Sequence, residues 1–202
     1  MSRINRRFAV TKVTRTDNGF ARDTRADTVT VEEPLAIRAT GDTLTTTMRT
    51  PGHDIELAHG WMFAEGLISS AEDVRSARYC AGAVGPNGEN TYNTLDIDLG
   101  PAASSAAPQF IRLTTTTSAC GVCGTQSIDD IMDKVPEPIT PVRLDPDLVM
   151  RLPDALTTGQ KQFRKTGGIH AAGAFTFDGE PVVIREDIGR HNATDKVIGH
   201  LL

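Results

Sequence analysis

The chain has 202 residues, of which 39% are hydrophobic, so it is long enough to bury the core of one globular domain. Its formal charge of −5 is unevenly spread, because residues 1–25 hold seven basic and two acidic side chains and the remainder carries a net −10. That acidic body argues against a general nucleic-acid binder, which needs a broad positive field.

Hydropathy and the cysteine count indicate the cellular compartment. No segment approaches the roughly 20 apolar residues of a membrane span, and no apolar run follows the basic start as it would in a signal peptide. Three cysteines are an odd number, which does not suit a disulfide framework and favours thiols with a chemical role. We therefore expect a cytoplasmic protein without a membrane segment.

The basic residues 1–25 are expected to form a flexible, solvated arm, with docking to an acidic partner as the alternative. Residues 26–202 are then expected to form a single domain. Within it, residues 28–37 and 43–48 are rich in Val, Thr, Leu and Ile, and a Gly-Asp turn signal lies between them. This pattern predicts a β-hairpin.

A helix is predicted next. Thr50 and Pro51 suit an N-cap and a first helical position, and apolar residues then recur at helical spacing up to Gly66. We expect Trp61 and Phe63, which lie in this segment, to fill the core rather than to form a cofactor platform.

The middle of the chain is β-rich in pattern. Predicted strands cover residues 74–80, 92–99 and 110–115, and a Pro- and Ala-rich loop is predicted at 101–108. Asp145 and Pro146 then predict the start of a helix, which Pro153 is expected to kink or divide before it runs on to Phe163.

The last elements are a second hairpin, predicted over residues 174–177 and 182–185, and a helix that begins near His191. That helix reaches Leu202 without a glycine cap, a cationic last turn or a polar end, so we expect a fragment that lacks a C-terminal portion. Strands and helices in no strict βαβ alternation predict a layered α/β or α+β domain.

The chemistry concentrates in Cys120-Gly121-Val122-Cys123, where two thiols three positions apart can meet and the glycines let the backbone bend. Such a motif alone could also be half of a zinc site, which it fits best, a thioredoxin-like redox pair or two buried cysteines. The interpretation as a zinc site is less favoured, because the remaining His and Cys residues include no second close pair of ligands. The interpretation as a thioredoxin-like redox pair is less favoured, because the motif follows a polar tract rather than a strand.

A sulfur-carrying role fits the same two thiols. Thr125 can cap a helix through Ile128, which places Cys123 before a positive helix end and favours its thiolate. One cysteine would take a sulfane sulfur from a donor persulfide. The other would then attack it, forming a disulfide and releasing sulfur to an acceptor. Cys80, at the end of an apolar run, is expected to be a core residue.

Two further segments carry polar groups at predicted strand and helix ends: residues 166–173, which include Gly168 and His170, and residues 185–196, which include Arg190, His191 and Asn192. A helix N-terminus with Arg and His nearby suits phosphate anions. The structural alternative, rated even with ligand binding, is a salt-bridged cap in which Asp187 and Asp195 pair with Arg190 and Lys196.

Three segments together resemble the FdhD family of formate dehydrogenase accessory sulfurtransferases: residues 118–124, residues 166–172, and residues 185–192 followed by Asp195-Lys196. The helix ending at Gly66 is similar as well. The resemblance implies a cytidine-deaminase-like layered domain, with a mixed sheet flanked by helices and without deaminase activity. It also implies that the family's C-terminal segment is missing here.

By this resemblance, sulfur passes from a cysteine desulfurase to the bis(molybdopterin guanine dinucleotide) molybdenum cofactor of formate dehydrogenase. The family's persulfide cysteine falls on Cys120 and its partner on Cys123. Matching segments place Gly168, His170, Arg190, His191 and Asn192 at the cofactor's nucleotide arms. A homodimer, no nucleic-acid partner and no structural metal are expected. The competing functions are a non-covalent cofactor chaperone and, behind it, a zinc-dependent hydrolase.

Overall fold

The structure, a computed structural model, describes residues 4–80, 85, 91–113 and 141–202. The described part holds eight strands and five α-helices. The strands are β1 Asn5–Thr16, β2 Gly19–Thr30, β3 Glu33–Ala39, β4 Asp42–Arg49, β5 Val74–Tyr79, β6 Thr94–Leu99, β7 His170–Phe175 and β8 Pro181–Asp187. The helices are α1 Asp54–Ala64, α2 Pro101–Leu113, α3 Pro146–Gly159, α4 Phe163–Thr166 and α5 Arg190–Leu201.

The central sheet has the order β4-β3-β6-β5, with β3 parallel to β6 and the other two pairs antiparallel. Alternate residues of β3 and β6 are buried, as expected for strands with one face on a core. These buried residues form one hydrophobic core with residues of α1 and α2. The largest side chains of this core include Leu35, Ile37, Leu57, Met62 and Leu95. The domain is therefore a mixed α+β fold.

Helix α5 joins the central part to the β7–β8 hairpin, because it packs against α1 on one side and against both strands on the other. The approach of the two helices is very close. A Cβ built on Gly199 would lie 1.9 Å from the carbonyl oxygen of Glu56, and one on Gly60 would lie 1.9 Å from that of Asp195. Only glycine fits at these two positions, so the packing fixes how α5 lies against α1.

Several predictions are confirmed. Strands β3 and β4 pair as a hairpin, although residues 28–30 of the predicted first strand belong to β2. Strands β5 and β6 fall within the predicted strand segments, and β7 and β8 form the second hairpin. Asp145 caps α3 by accepting a hydrogen bond from the N–H of Asp147, with Pro146 at the first position. The final helix begins at Arg190 as expected.

The prediction for residues 101–115 was wrong over the described residues, because 101–113 form helix α2 instead of a loop and a strand. Pro101 suits a first helical position, and the alanines favour a helix. Ala103 and Ala107, one turn apart, are buried in the core. Tertiary burial of the alanine face therefore outweighs the β-type residues that follow.

Helix α1 begins later than predicted, at Asp54 rather than at Pro51. Gly52 and His53 both have positive φ, 111° and 56°, which forms a turn before the helix. Thr50 does not cap α1, because its Oγ1 accepts a hydrogen bond from the N–H of Ile188. Of the two aromatic residues in the segment, Trp61 packs against the core, whereas Phe63 is 41% exposed, so its core prediction was wrong.

Two further differences concern the positions of boundaries between predicted segments. Helix α3 continues through Pro153 and ends at Gly159, and α4 is a separate short helix, so the division falls at Gly159 rather than at the proline. At the other end of the chain, residues expected to form a flexible arm lie in the β1–β2 hairpin, which crosses the predicted boundary at residue 25. Phe8, Val10, Thr11 and Val13 of β1 are the β-type residues that the charge count obscured.

Candidate functional site at the junction of β8 and α5

A buried carboxylate organises the junction between β8 and α5. Asp187 ends β8 and is fully buried. Its Oδ2 accepts hydrogen bonds from Lys196 Nζ at 2.6 Å and from the N–H of Thr50 at 3.1 Å. Its Oδ1 accepts from the N–H of Gly189 at 2.9 Å and from Asn192 Nδ2 at 3.1 Å. Four donors therefore hold one carboxylate, and through it β8, α5 and the end of β4.

Lys196 is the cation of this network and is 1% exposed. Besides Asp187, its ammonium group donates to the carbonyl oxygen of Thr50 at 2.9 Å. This is half of the salt-bridged cap considered from the sequence, in which Asp187 pairs with Lys196. The pair is internal, so its role is to fix the junction rather than to bind a ligand.

Asn192 is tied into the same network. Its Nδ2 donates to the carbonyl oxygen of Met48 at 2.7 Å as well as to Asp187, and its Oδ1 lies 3.4 Å from Thr47 Oγ1. Both amide hydrogens are thus used inside the protein. The structure places Asn192, which is half-buried, as a bridge from α5 to β4.

The other predicted cofactor residues lie on the surface of this junction. Gly168, His170, Arg190 and His191 are all exposed. His170 begins β7 and pairs across the hairpin with Asp187, two residues before the N-cap Gly189. The structure therefore brings His170 to the strand end from which α5 starts.

Helix α5 presents its N-terminus at the same place. The N–H groups of a helix's first turn have no partner within the helix and carry the positive end of its dipole. Arg190 and His191 are its first two residues. Two cation-forming side chains and the helix amides at one exposed edge can bind an anion such as a phosphate.

A second charged cluster centres on Glu56 of α1, and the sequence analysis did not predict it. Arg185 of β8 binds both carboxylate oxygens, with Nη2 at 2.7 Å from Oε1, and His200 Nδ1 of α5 lies 3.0 Å from Oε1. His53 Nδ1 lies 3.1 Å from Oε2. The cluster joins α1, β8 and α5 across sequence separations of 129 and 144 residues, which no local pattern could reveal.

The charge state of this cluster follows from burial and pairing. Burial raises the pKa of Glu56, but hydrogen bonds from Arg185 and His200 and the charge of His53 outweigh it and lower the pKa to about 2. Burial and the charge of Arg185 lower the pKa of His53. Arg185 is therefore the cation that holds Glu56 ionised at neutral pH.

The pKa of Asp195 is shifted in the opposite direction from that of Glu56. Asp195 lies on the second turn of α5, and burial, together with the negative charges of Glu65 and Asp187, raises the pKa of its carboxyl to about 7. The sequence interpretation paired Asp195 with a cation. In the structure its environment instead favours the protonated form.

The two cysteines on which the chemistry was predicted, Cys120 and Cys123, lie outside the described residues. Cys80, which directly follows β5, is half-buried. Within residues 4–80, 85, 91–113 and 141–202, no group of three or more His, Cys, Asp or Glu side chains is arranged to hold a metal ion. The helices of that same part of the chain include none long and apolar enough to cross a membrane.

Comparison with known proteins supplies the family. The model of the FdhD/NarQ family matches residues 30–202. The chain is 55% identical over 205 residues to sulfur carrier protein FdhD of Corynebacterium efficiens, covering 100% of this chain and 74% of that protein. It is 52% identical over 180 residues to sulfur carrier protein FdhD of Nocardia farcinica, covering 88% and 63%. The chain thus spans about two thirds to three quarters of the length of these relatives.

A solved structure shares the fold. It is assigned to a formate dehydrogenase accessory protein from Desulfotalea psychrophila, and it matches 96% of this chain and 67% of its own with a TM-score of 0.62 at 21% identity. That likeness supports the mixed α+β architecture. The family model and the close relatives together show that the chain belongs to the FdhD/NarQ family.

Proposed function

We propose that this protein carries sulfur as a persulfide on Cys120 and delivers it to a molybdenum cofactor for formate dehydrogenase. The observation that carries the proposal is its identity of 55% and 52% with two sulfur carrier proteins, in a chain that contains the Cys120-Gly121-Val122-Cys123 pair. The name of the related solved structure supports formate dehydrogenase as the recipient. The role is that of a sulfurtransferase-type accessory protein acting in the cytoplasm.

Loading with sulfur requires no net oxidation. The Cys120 thiolate attacks the outer sulfur of a persulfide on a cysteine desulfurase, the donor class that forms such persulfides from L-cysteine. A new bond forms between Cys120 Sγ and that sulfur, while the donor's own sulfur–sulfur bond breaks. The donor cysteine leaves as a thiolate and takes up the proton that Cys120 lost.

Delivery uses the second thiol. The Cys123 thiolate attacks Cys120 Sγ, the disulfide forms, and the outer sulfur leaves as hydrosulfide to the acceptor. The two cysteines are thereby oxidised by two electrons, which the departing sulfur takes with it. A dithiol reductant must restore both thiols before the next cycle.

The acceptor is the bis(molybdopterin guanine dinucleotide) molybdenum cofactor, which is cargo rather than a resident group. We propose that its phosphate-bearing arms bind at the exposed edge formed by Gly168, His170, Arg190 and His191. Support comes from the N-terminus of α5 and from the side chains of Arg190 and His191 at its start. Asn192, whose amide donates to Met48 and Asp187, would act by holding the start of α5.

The test follows radioactive sulfur. The protein is incubated with a cysteine desulfurase and ³⁵S-labelled L-cysteine, and non-reducing gels are compared for Cys120→Ala, Cys123→Ala and the matched control Cys80→Ala. The proposal predicts dithiol-labile label in the parent protein and in Cys80→Ala, and none in Cys120→Ala. Equal label in all variants, or label in none of the folded proteins, would contradict it and favour a non-covalent cofactor chaperone.

The nucleotide edge has its own test. Arg190→Ala with His191→Ala should weaken the binding of guanosine diphosphate at least tenfold, measured by calorimetry. Arg75→Ala with Arg78→Ala, two exposed cations of β5, should leave it within twofold. Equal effects of the two double variants would show that general positive charge, not this edge, binds the nucleotide.

A further inference from the structure

The hairpin formed by β1 and β2 projects from the rest of the described chain. Helix α4 packs against β2 and fixes the base of the hairpin. Residues 11–26, which include the turn, are all exposed. Because a strand advances by about 3.3 Å per residue, residues 11–16 of β1 extend roughly 20 Å. Both faces of the hairpin are therefore accessible to a partner over this length.

The two faces of the hairpin differ in charge. Side chains alternate between the faces along each strand, and directly paired residues share a face. Arg15 pairs with Phe20, and Val13 pairs with Arg22. The face that these four residues share carries three arginines and no carboxylate from either strand. We call it the arginine face, and its residues are Arg7, Val13, Arg15, Phe20 and Arg22.

The opposite face is mixed in charge. Two aspartates accompany its three cations, and the charged residues of this mixed face are Arg6, Lys12, Asp23, Arg25 and Asp27. Lys12 pairs directly with Asp23. The positive charges of the mixed face are therefore largely offset by its own carboxylates, whereas those of the arginine face are not. An acidic partner is attracted more strongly by the arginine face.

The arginine face also has the composition of a protein-binding surface. Phe20 is 74% exposed and Val13 is 55% exposed. Aromatic residues and arginine are enriched in protein interfaces. A guanidinium group offers a planar set of N–H donors that matches the two oxygens of a carboxylate. The face therefore suits a protein surface that combines carboxylates with apolar contact area.

A protein fits this face better than an extended polyanion does. Residues 26–202 carry a net charge of −10. A nucleic acid or an anionic membrane extends well beyond the hairpin, so it would meet the negative field of the remaining chain. A local acidic patch on a protein needs to contact only the hairpin. Charge thus favours a protein as the occupant.

The register relates the arginine face to the edge proposed to bind the cofactor. Asn5 and Thr30 pair at the base of the hairpin and lie on the same face as the arginines. Thr30 Oγ1 donates to the carbonyl oxygen of Gly168 at 3.0 Å, and Asn5 Nδ2 donates to Gln162 Oε1 at 2.8 Å. Gly168 belongs to the proposed edge. A protein on the arginine face is thus next to the place where the cofactor would be bound.

We propose that the arginine face docks an acidic surface of the protein that receives the cofactor. This inference rests on the proposed function, under which the recipient is formate dehydrogenase. Arg15 and Arg22 bind carboxylates of the recipient, and its apolar side chains cover Phe20. Docking brings the recipient to the edge at Gly168, where the cofactor can pass from one protein to the other.

Two double variants with equal changes in net charge test the docking face. Arg15→Gln with Arg22→Gln removes two cations from the arginine face, and Lys12→Gln with Arg25→Gln removes two from the mixed face. All four residues are exposed, and each variant takes one cation from each strand. Binding to formate dehydrogenase prepared without its cofactor is measured by biolayer interferometry, and circular dichroism confirms that each variant is folded.

The arginine-face variant should bind formate dehydrogenase about tenfold more weakly than the parent protein, and the mixed-face variant should stay within about threefold. Binding of the parent protein should weaken as salt is raised, because the paired charges are screened. Equal binding by the two variants would overturn the docking face and leave formate dehydrogenase standing as the recipient. A parent protein that does not bind formate dehydrogenase at all would contradict the recipient itself, and the docking face with it.

The aromatic residue of the arginine face has its own matched control. Phe20→Ala should weaken binding at least threefold, whereas Phe8→Ala, which removes an exposed ring from the mixed face, should leave it unchanged. Equal effects of the two substitutions would count against the arginine face.

Other occupants are separated by the same double variants. Binding is measured to a cysteine desulfurase, to a single-stranded RNA oligonucleotide and to phosphatidylglycerol vesicles, and sedimentation velocity reports contacts between copies of the chain. Formate dehydrogenase should be the partner whose binding the arginine-face variant selectively weakens. A selective loss for any of the others, with binding to formate dehydrogenase unchanged, would overturn the proposal and assign the face to that occupant.

Discussion

Replacing Asp187 with asparagine should destabilise the protein strongly, because Lys196 would lose its counterion in the interior. The carboxylate accepts from four donors, one of them Lys196 Nζ at 2.6 Å, and both side chains are at most 1% exposed. Removing one partner of a buried ion pair costs about 3–5 kcal/mol. The amide that replaces the carboxylate would also bring its own N–H groups towards the N–H donors of Thr50 or Gly189.

Urea unfolding measures this cost. For a slope of about 2 kcal/mol per M, the midpoint of Asp187→Asn should fall by roughly 2 M. The matched control is Asp96→Asn, since Asp96 Oδ1 lies 3.7 Å from Arg38 Nη1 and the two side chains are 37% and 34% exposed. Exposed pairs contribute about 0–1 kcal/mol. Equal losses in the two variants would refute the reasoning that the Asp187 network holds the junction together.

Three further changes test the packing and charges around α5. Gly199→Ala should cost over about 3 kcal/mol in urea unfolding because its Cβ would meet the carbonyl oxygen of Glu56, whereas Gly168→Ala, with no atom nearer than 4.0 Å, should cost under about 1 kcal/mol. Asp195→Asn should raise Tm more at about pH 8 than at about pH 4. The pKa of Asp195 rises from 3.8 to about 7 on folding, so the protonated carboxyl stabilises the fold fully below pH 3.8 and this stabilisation is lost as pH rises through 7. A Tm difference that is the same at both pH values would contradict this reasoning. Glu56→Gln should lower Tm at neutral pH by releasing Arg185, and an unchanged Tm would show that the pair is not stabilising.

Local signals predicted the elements that depend on local chemistry. Asp145 and Pro146 mark the start of α3 because a side-chain cap and a fixed φ act within one turn. The β7–β8 hairpin and the start of α5 followed from turn residues and strand patterns in the same way. The edge proposed to bind phosphate could be located for this reason, since it lies where α5 starts.

Long-range packing decided the elements that the sequence analysis missed. Residues 101–113 are helical because Ala103 and Ala107 are buried against strands and helices distant in sequence, an effect that outweighs local propensity. Asn192 looked like a ligand residue from its neighbours in the sequence. Its role as a bridge depends on Met48, 144 residues away. The ion pair of Glu56 with Arg185 likewise joins residues 129 positions apart.

The most direct test of sulfur carriage is the intact mass of the protein, with peptide mapping, after incubation with a cysteine desulfurase and L-cysteine. A persulfide carrier should show the added mass of one sulfur atom on the peptide that contains Cys120, its removal by a dithiol, and its absence in Cys120→Ala. A folded protein that gains no sulfur on either Cys120 or Cys123 would contradict sulfur carriage.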